Sequence, residues 1–195
     1  LRLLSLYSEI NLSDIKSGSF DRGGQEVIEG VREVLSSLPL VLVDRPSLSI
    51  SQIRLECQKY LAGQKEIGLI VIDYLQLLKP QNSKETRVNQ VAQISRDLKL
   101  LAKEFNVPII AISTLSRAVE ARENKRPILS DLRESGTIEY DSDIVLFLYR
   151  EELYKPFSDQ KGVAEVLIAK NRSGPTGKVK LRFKAECCKF YDSKK

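Results

Sequence analysis

A carboxylate at the end of an apolar run is the first candidate for chemistry in this chain: Leu69-Ile70-Val71-Ile72 is followed at once by Asp73, then by Tyr74-Leu75-Gln76. Apolar residues in succession with a β-branched bias read as a strand buried on both faces of a parallel sheet. Ligands of such sheets lie beyond the carboxyl ends of the strands. There Asp73 can hold a hydrated Mg²⁺ beside phosphates, although the same acid serves equally to cap the next turn. A second strand, Val107-Pro108-Ile109-Ile110-Ala111-Ile112, ends in the hydroxyls of Ser113 and Thr114. Asp73, Gln76 and Thr114 are therefore expected side by side at one sheet edge. A third strand ends at Lys170-Asn171-Arg172. Two cations one residue apart on a strand emerge on the same side. That pairing suits a phosphate whose charge develops during hydrolysis, or simply an exposed basic strand end.

The run from Asp131 to Asp143 is long and polar for a connection. Its central Gly136 lets backbone amides approach a partner closely, and Arg133 can hold a sugar-phosphate backbone without reading bases. The acids around it, Glu134 among them, argue against a plain electrostatic patch.

These candidates need elements to position them, and the hydrophobic spacing supplies an alternating α/β order. Val27, Val31, Leu35 and Leu38 recur at helical spacing, and Leu40-Val41-Leu42-Val43-Asp44 reads as a strand. Ser49 or Ser51 is placed to cap a helix with the stripe Ile53, Cys57, Tyr60 and Leu61. After the Asp73 strand and a polar connection, Val91, Ile94, Leu98, Leu101 and Phe105 form the clearest amphipathic stripe of the chain. A strand over 144–149 follows the polar run. Short strands over 163–169, 178–183 and 189–191, with a turn over 173–177, then predict a closing β meander or hairpin. The expected fold is α/β: a mostly parallel sheet flanked by helices, as one domain over residues 1–195.

Composition excludes several classes. The chain has 195 residues, 42% hydrophobic and 29% charged, and no histidine. A Ser-His-Asp triad or a His-ligated metal cannot be built. No apolar run approaches the ~20 residues that span a bilayer, so no membrane partner is expected. Cys57, Cys187 and Cys188 have neither zinc-ligand nor disulfide spacing, which suits a reducing compartment. The net charge of +5 is uneven: between Lys161 and Lys195, ten Lys or Arg stand against three Asp or Glu. A basic end favours a polyanion such as nucleic acid or nucleotide, and equally describes a solvated lysine-rich edge. With no methionine at all, the chain is expected to be a processed product or a fragment.

Three stretches resemble, in order, the signatures of DnaB-type replicative helicases: Ile70-Val71-Ile72-Asp73-Tyr74-Leu75-Gln76-Leu77, then Lys125-Arg126-Pro127 with Ser130-Asp131-Leu132-Arg133-Glu134-Ser135-Gly136, then Ala169-Lys170-Asn171-Arg172-Ser173-Gly174-Pro175-Thr176-Gly177. The intervening Ile94-Ser95-Arg96-Asp97-Leu98-Lys99 and Asn106-Val107-Pro108 are similar as well, so the resemblance covers essentially the whole chain. It implies a RecA-like P-loop NTPase core, the motor domain of a homohexameric ring that uses ATP and Mg²⁺ to move 5′–3′ along single-stranded DNA, with a primase and a helicase loader as partners. It also implies roles. Asp73 resembles the Walker B acid that holds Mg²⁺, through water. Arg133, Glu134 and Gly136 fall on the loop that grips single-stranded DNA, and Lys170 and Arg172 on the fingers that act on the neighbouring subunit's nucleotide. Gln76 and Thr114 belong to the nucleotide edge. Cytoplasm is the implied setting, a plastid stroma the alternative.

Two departures accompany the resemblance. The family reads Ser-Gln-Leu where this chain has Ser113-Thr114-Leu115, and threonine is too short to repeat the glutamine's contact with a γ-phosphate. The family's Gly-Lys-Thr loop and its water-activating glutamate precede the segment matched by Leu1-Arg2-Leu3-Leu4. The chain is thus expected to be a fragment without its P-loop strand. It would be inactive alone, because the phosphates lose the loop's amides and lysine. A non-catalytic RecA-like DNA-binding module and a recombinase of the same superfamily remain the alternatives.

Overall fold

A computed structural model describes residues 1–132 and 136–193. Its elements follow the order α1 (Arg2–Ser8), α2 (Leu12–Ser17), α3 (Arg22–Ser37), α4 (Ile50–Ala62), β1 (Ile70–Ile72), α5 (Arg87–Phe105), β2 (Ile109–Ala111), α6 (Ala118–Ala121), α7 (Gly136–Asp141), β3 (Ile144–Tyr149), β4 (Val163–Asn171), β5 (Gly177–Lys184) and β6 (Lys189–Asp192). Strands β1 and β2 pair in parallel, Ile70 opposite Ile109 and Ile72 opposite Ala111. The others form a four-stranded sheet in the order β3-β4-β5-β6, with β5 and β6 antiparallel. The expected α/β class, the parallel pair and the closing meander are all present. The chain divides into two compact units, one of residues 44–147 and 168–177, the other of the remaining segments.

In the first unit the sequence explains the helices directly. Ser49 caps α4: its hydroxyl accepts from the Gln52 amide, while the Gln52 side chain accepts from the Ser49 N–H, a reciprocal capping box. Of the expected α4 stripe, Ile53 and Cys57 are buried, whereas Leu61 is exposed. Thr86 caps α5, whose Val91, Ile94, Leu98 and Leu101 are buried as their spacing predicts. They join Ile72 and Leu75 in the core beneath β1.

The strands correct one expectation. Val71 is 56% exposed and Ile110 53% exposed, while Ile72 is buried. The run at 69–72 is therefore covered on one face only, by the α4–α5 layer. Among the described residues nothing covers its other apolar face. In β3 the same alternation is complete: Val145, Phe147 and Tyr149 are buried, Ile144, Leu146 and Leu148 exposed.

A second correction concerns Leu40-Val41-Leu42-Val43-Asp44, which forms no strand. A β-strand exists only where a neighbour satisfies its backbone groups. No strand pairs with this run among the described residues, and Leu42 is 75% exposed.

In the other unit, α3 half-buries Val31 and Leu35 of the expected stripe, on the face of Ile28. Ile28 is its buried residue, and Val27 and Leu38 are exposed. Glu9, the left-handed residue that ends α1, accepts from Lys189 Nζ at 2.6 Å and from the Tyr191 hydroxyl at 2.9 Å, tying α1 to β6. Arg150 lies over the Phe183 ring, 4.3 Å from its centroid. All three cysteines are free thiols.

Candidate functional site

The parallel register of β1 and β2 brings the first expected group together. Beyond the ladder the two backbones stay bonded: Ile112 N–H donates to the Ile72 carbonyl at 3.0 Å, and Leu75 N–H to the Ile112 carbonyl at 2.8 Å. Asp73 sits in this stretch, exposed, with no hydrogen bond or ion pair among the described residues. Gln76 starts from the 3₁₀ turn Leu75–Leu77 and reaches the next strand. Its Nε2 donates to Ser113 Oγ at 2.9 Å, and its Oε1 accepts from the Thr114 N–H at 3.2 Å. Arg87 at the start of α5 in turn donates to the Gln76 carbonyl. Asp73, Gln76 and Thr114 thus share one sheet edge, as expected. The Gln76 amide is committed to positioning Ser113 and Thr114.

The second group gathers around α7. Lys170 near the end of β4 donates from Nζ to the Glu139 carbonyl, and its distance to the Tyr140 carbonyl is 3.4 Å. Arg172 donates from Nη2 to the Tyr140 carbonyl, and its Nη1 is 3.4 Å from Asp143 Oδ1. The Arg172 N–H also donates to the Asp143 carbonyl at 2.9 Å. The other Asp143 carboxylate oxygen accepts from Lys99 of α5. That contact, above all others, holds the Asp143 carboxyl below the usual carboxylate range, with Arg172 and Lys170 adding to it. The two cations sit where a helix end favours positive charge, over the last carbonyls of α7.

The turn that presents them is built by Asn171 and Gly174. Asn171 Oδ1 accepts from the Ser173 N–H at 3.2 Å. A Cβ on Gly174 would lie 2.8 Å from Asn171 Nδ2, so a side chain there would push the Asn171 amide aside.

The expected DNA loop is anchored on both sides. Arg133 and Glu134 lie outside the described residues. Before them, Asp131 is 2% exposed and receives the Arg122 guanidinium at 2.9 and 2.6 Å and the Ile128 N–H at 2.8 Å. The ion pair with Arg122 dominates in depressing its pKa. The Asp131 carbonyl accepts from the Ser116 N–H at 2.8 Å, and Leu132 bridges to Leu115. The root of the loop is therefore bonded to the segment that continues directly from Ser113 and Thr114. After the loop, Gly136 begins α7 and lines a cavity of about 350 Å³ with Arg96, Thr137, Tyr140 and Asp141.

Arg122, Asp131, Lys99 and Asp143 carried no distinguishing signal in the sequence. Each partner pair is separated along the chain, and charge alone does not say which carboxylate a cation meets. They also revise the reading of the 131–143 run. Part of its polarity is structural, spent on a buried ion pair and on the strand-end cations.

An acid and hydroxyls at parallel strand ends, with a cation pair on a neighbouring strand end, stand on an α/β domain. The chain belongs to the family of DnaB-like helicase C-terminal domains, which matches residues 1–192. It is 47% identical to a probable replicative DNA helicase of Trieres chinensis and 44% identical to the replicative DNA helicase DnaB of Geobacillus stearothermophilus, with 98% and 97% of the chain aligned. It spans 43% and 42% of the length of those relatives. Two solved structures superpose at a TM-score of 0.94 and 40% identity over 98% of the chain. One is described as an ATPase domain, of which 68% is covered; the other, with 47% covered, is a DnaB-like replicative helicase described with its interactions with primase.

Proposed function

We propose that this chain is the larger part of the motor domain of a hexameric replicative helicase that couples ATP hydrolysis to 5′–3′ movement on single-stranded DNA and to duplex unwinding. The observation that carries this reading is the amide of Gln76, which joins the Asp73 strand end to Ser113 and Thr114. It makes one edge out of two strands, and that edge is where the reading puts the nucleotide.

The donors at that edge fit the group they would hold. Among the described residues no three acidic, cysteine or histidine side chains cluster around a metal, so a dehydrated, protein-caged ion is not what this edge is built for. A single exposed carboxylate suits Mg²⁺, which keeps several waters and takes one or two carboxylates plus substrate phosphates. Asp73 would hold that hydrated ion, and the ion would neutralise phosphate charge. Gln76 fixes the Thr114 backbone, and Thr114 would meet the nucleotide through its hydroxyl. Lys170 and Arg172 would serve a nucleotide bound by the adjacent subunit, and Arg133, Glu134 and Gly136 the DNA backbone.

A primase and a loader are the proposed partners, the first supported by the solved relative described with its primase interactions. Cytoplasm, or alternatively a plastid stroma, is the proposed setting. No helix among the described residues is long and apolar enough to cross a membrane.

The test uses two samples. The full-length protein should hydrolyse ATP with Mg²⁺ and displace a strand from a fork bearing a 5′ tail, and Asp73→Ala should abolish both. The 195-residue chain alone should show no turnover, since it contains no Gly-Lys-Thr loop. Unwinding with the opposite polarity, or Mg²⁺-dependent turnover by the short chain that Asp73→Ala removes, would contradict the reading.

A further inference from the structure

The charges around Lys170 and Arg172 do not look after themselves. Lys99, Lys170 and Arg172 all converge on the end of α7, and three cations so close repel one another unless an anion stands among them. Asp143 is that anion. One oxygen takes Lys99, the other faces Arg172 at 3.4 Å, and its own carbonyl holds the Arg172 N–H at 2.9 Å. The Arg172 guanidinium is consequently held at two points, the Asp143 carboxylate and the Tyr140 carbonyl. Two anchors fix the plane of a guanidinium as well as its distance, and that plane decides how its fork of N–H groups meets a phosphate.

We infer that Asp143, pinned from α5 by Lys99, is a positioning residue that aims Arg172, and with it Lys170, at the nucleotide of the adjacent subunit. The inference rests on the proposed finger role of the cation pair. Exposure separates aiming from mere stabilisation. The Asp143 side chain is 58% exposed and Arg172 44%, and ion pairs so open to water add little to stability. Removing the charge should leave the fold intact and disturb the cation pair alone.

The experiment compares the full-length protein with its Asp143→Asn, Asp143→Glu, Lys99→Met and Arg172→Ala variants in steady-state ATPase assays with single-stranded DNA. Hexamer formation and thermal unfolding are followed alongside. Asp143→Asn should lower kcat roughly 10- to 100-fold, the scale of a misplaced catalytic group, with the KM for ATP within about twofold. Arg172→Ala should cost more, about 10³-fold or above, as for a lost finger. Lys99→Met should act in the same direction, and its effect should not add to that of Asp143→Asn, because both act through one carboxylate. Asp143→Glu should restore part of the loss. If Arg172→Ala collapses turnover while Asp143→Asn keeps the parental kcat, the positioning role fails and the finger role stands. If Arg172→Ala itself keeps the parental kcat, the finger reading fails. A loss in Asp143→Asn accompanied by a lower unfolding temperature or a broken hexamer would mark a structural role and overturn the inference.

Discussion

Arg122 closes a two-pronged ion pair on Asp131, its guanidinium nitrogens 2.9 and 2.6 Å from the two carboxylate oxygens. The carboxylate is buried and the Arg122 side chain is 33% exposed. The pair therefore stands immediately before the loop expected to touch DNA, where with the Ile128 N–H it holds the last described turn in place.

Asp131→Asn should destabilise the protein by about 3 kcal/mol, the lower end for breaking a buried pair, because the freed Arg122 can rehydrate. Denaturant unfolding followed by circular dichroism reads this directly. The pH dependence carries a sign. The folded pKa of Asp131 is depressed, chiefly by Arg122, so its contribution is fully present above the ordinary carboxylate value of about 4. It falls away as pH drops through the lower folded value. The parent should lose stability on acidification below about pH 4 more steeply than Asp131→Asn. Parallel acid limbs would show that the pair contributes nothing.

Gln76→Met keeps the size of the side chain and removes both of its amide bonds. At roughly 1 kcal/mol for each hydrogen bond lost, a destabilisation of about 1–2 kcal/mol is expected. Gln76→Glu keeps an acceptor for the Thr114 N–H and should fall between the two. Thermal unfolding of the three proteins gives the order. Equal stability for Gln76→Met and the parent would remove the grip on Thr114.

Ser49→Ala deletes one half of the capping box of α4. A loss of about 1 kcal/mol is expected, and Gln52→Ala should lose less, since the Ser49 hydroxyl still accepts from the backbone. Chemical denaturation with both single variants and the double variant checks the reciprocity: the double should cost less than the sum.

Arg133→Ala should weaken single-stranded DNA binding by about the same factor for any base sequence and lower the salt slope by about 1. Fluorescence anisotropy with several unrelated oligonucleotides, each titrated across salt concentrations, tests this. Strong sequence preference in the parent, lost in the variant, would assign Arg133 to base reading instead.

What the sequence revealed depended on whether the cause was local. The α5 stripe and the α4 cap are periodicity and neighbour chemistry: the stripe was legible residue by residue, and the cap as Ser49 or Ser51, between which the structure selects Ser49. The β3 strand likewise began and ended where its apolar run does. The edge of Asp73, Gln76 and Thr114 followed from strand ends alone. Burial on the second face of β1 was not legible, since an apolar run says only that a residue tolerates burial; what covers it is decided elsewhere in the fold. Leu40 to Val43 failed for the same reason, having strand-forming residues and no partner strand. The ion pairs Arg122–Asp131 and Lys99–Asp143 were invisible because their specificity lies in three-dimensional placement. The resemblance to helicases pointed to Lys170 and Arg172 but not to what holds them.

The helix α7 is only six residues long, and it touches two events at once. It begins at Gly136, which the proposed reading assigns to DNA, and its final carbonyls take the N–H groups of Lys170 and Arg172. On the proposed reading, a phosphate in the next subunit competes with those carbonyls for the same donors. Linkage then makes the two occupancies reciprocal: if drawing Arg172 away changes DNA affinity by about tenfold, bound DNA must change the affinity of the fingers for that phosphate by the same factor and in the same direction. On that reading one short helix would make each subunit's hold on the track and its reach toward a neighbour a single thermodynamic variable. On the proposed reading, a ring of such subunits would advance only by changing both together.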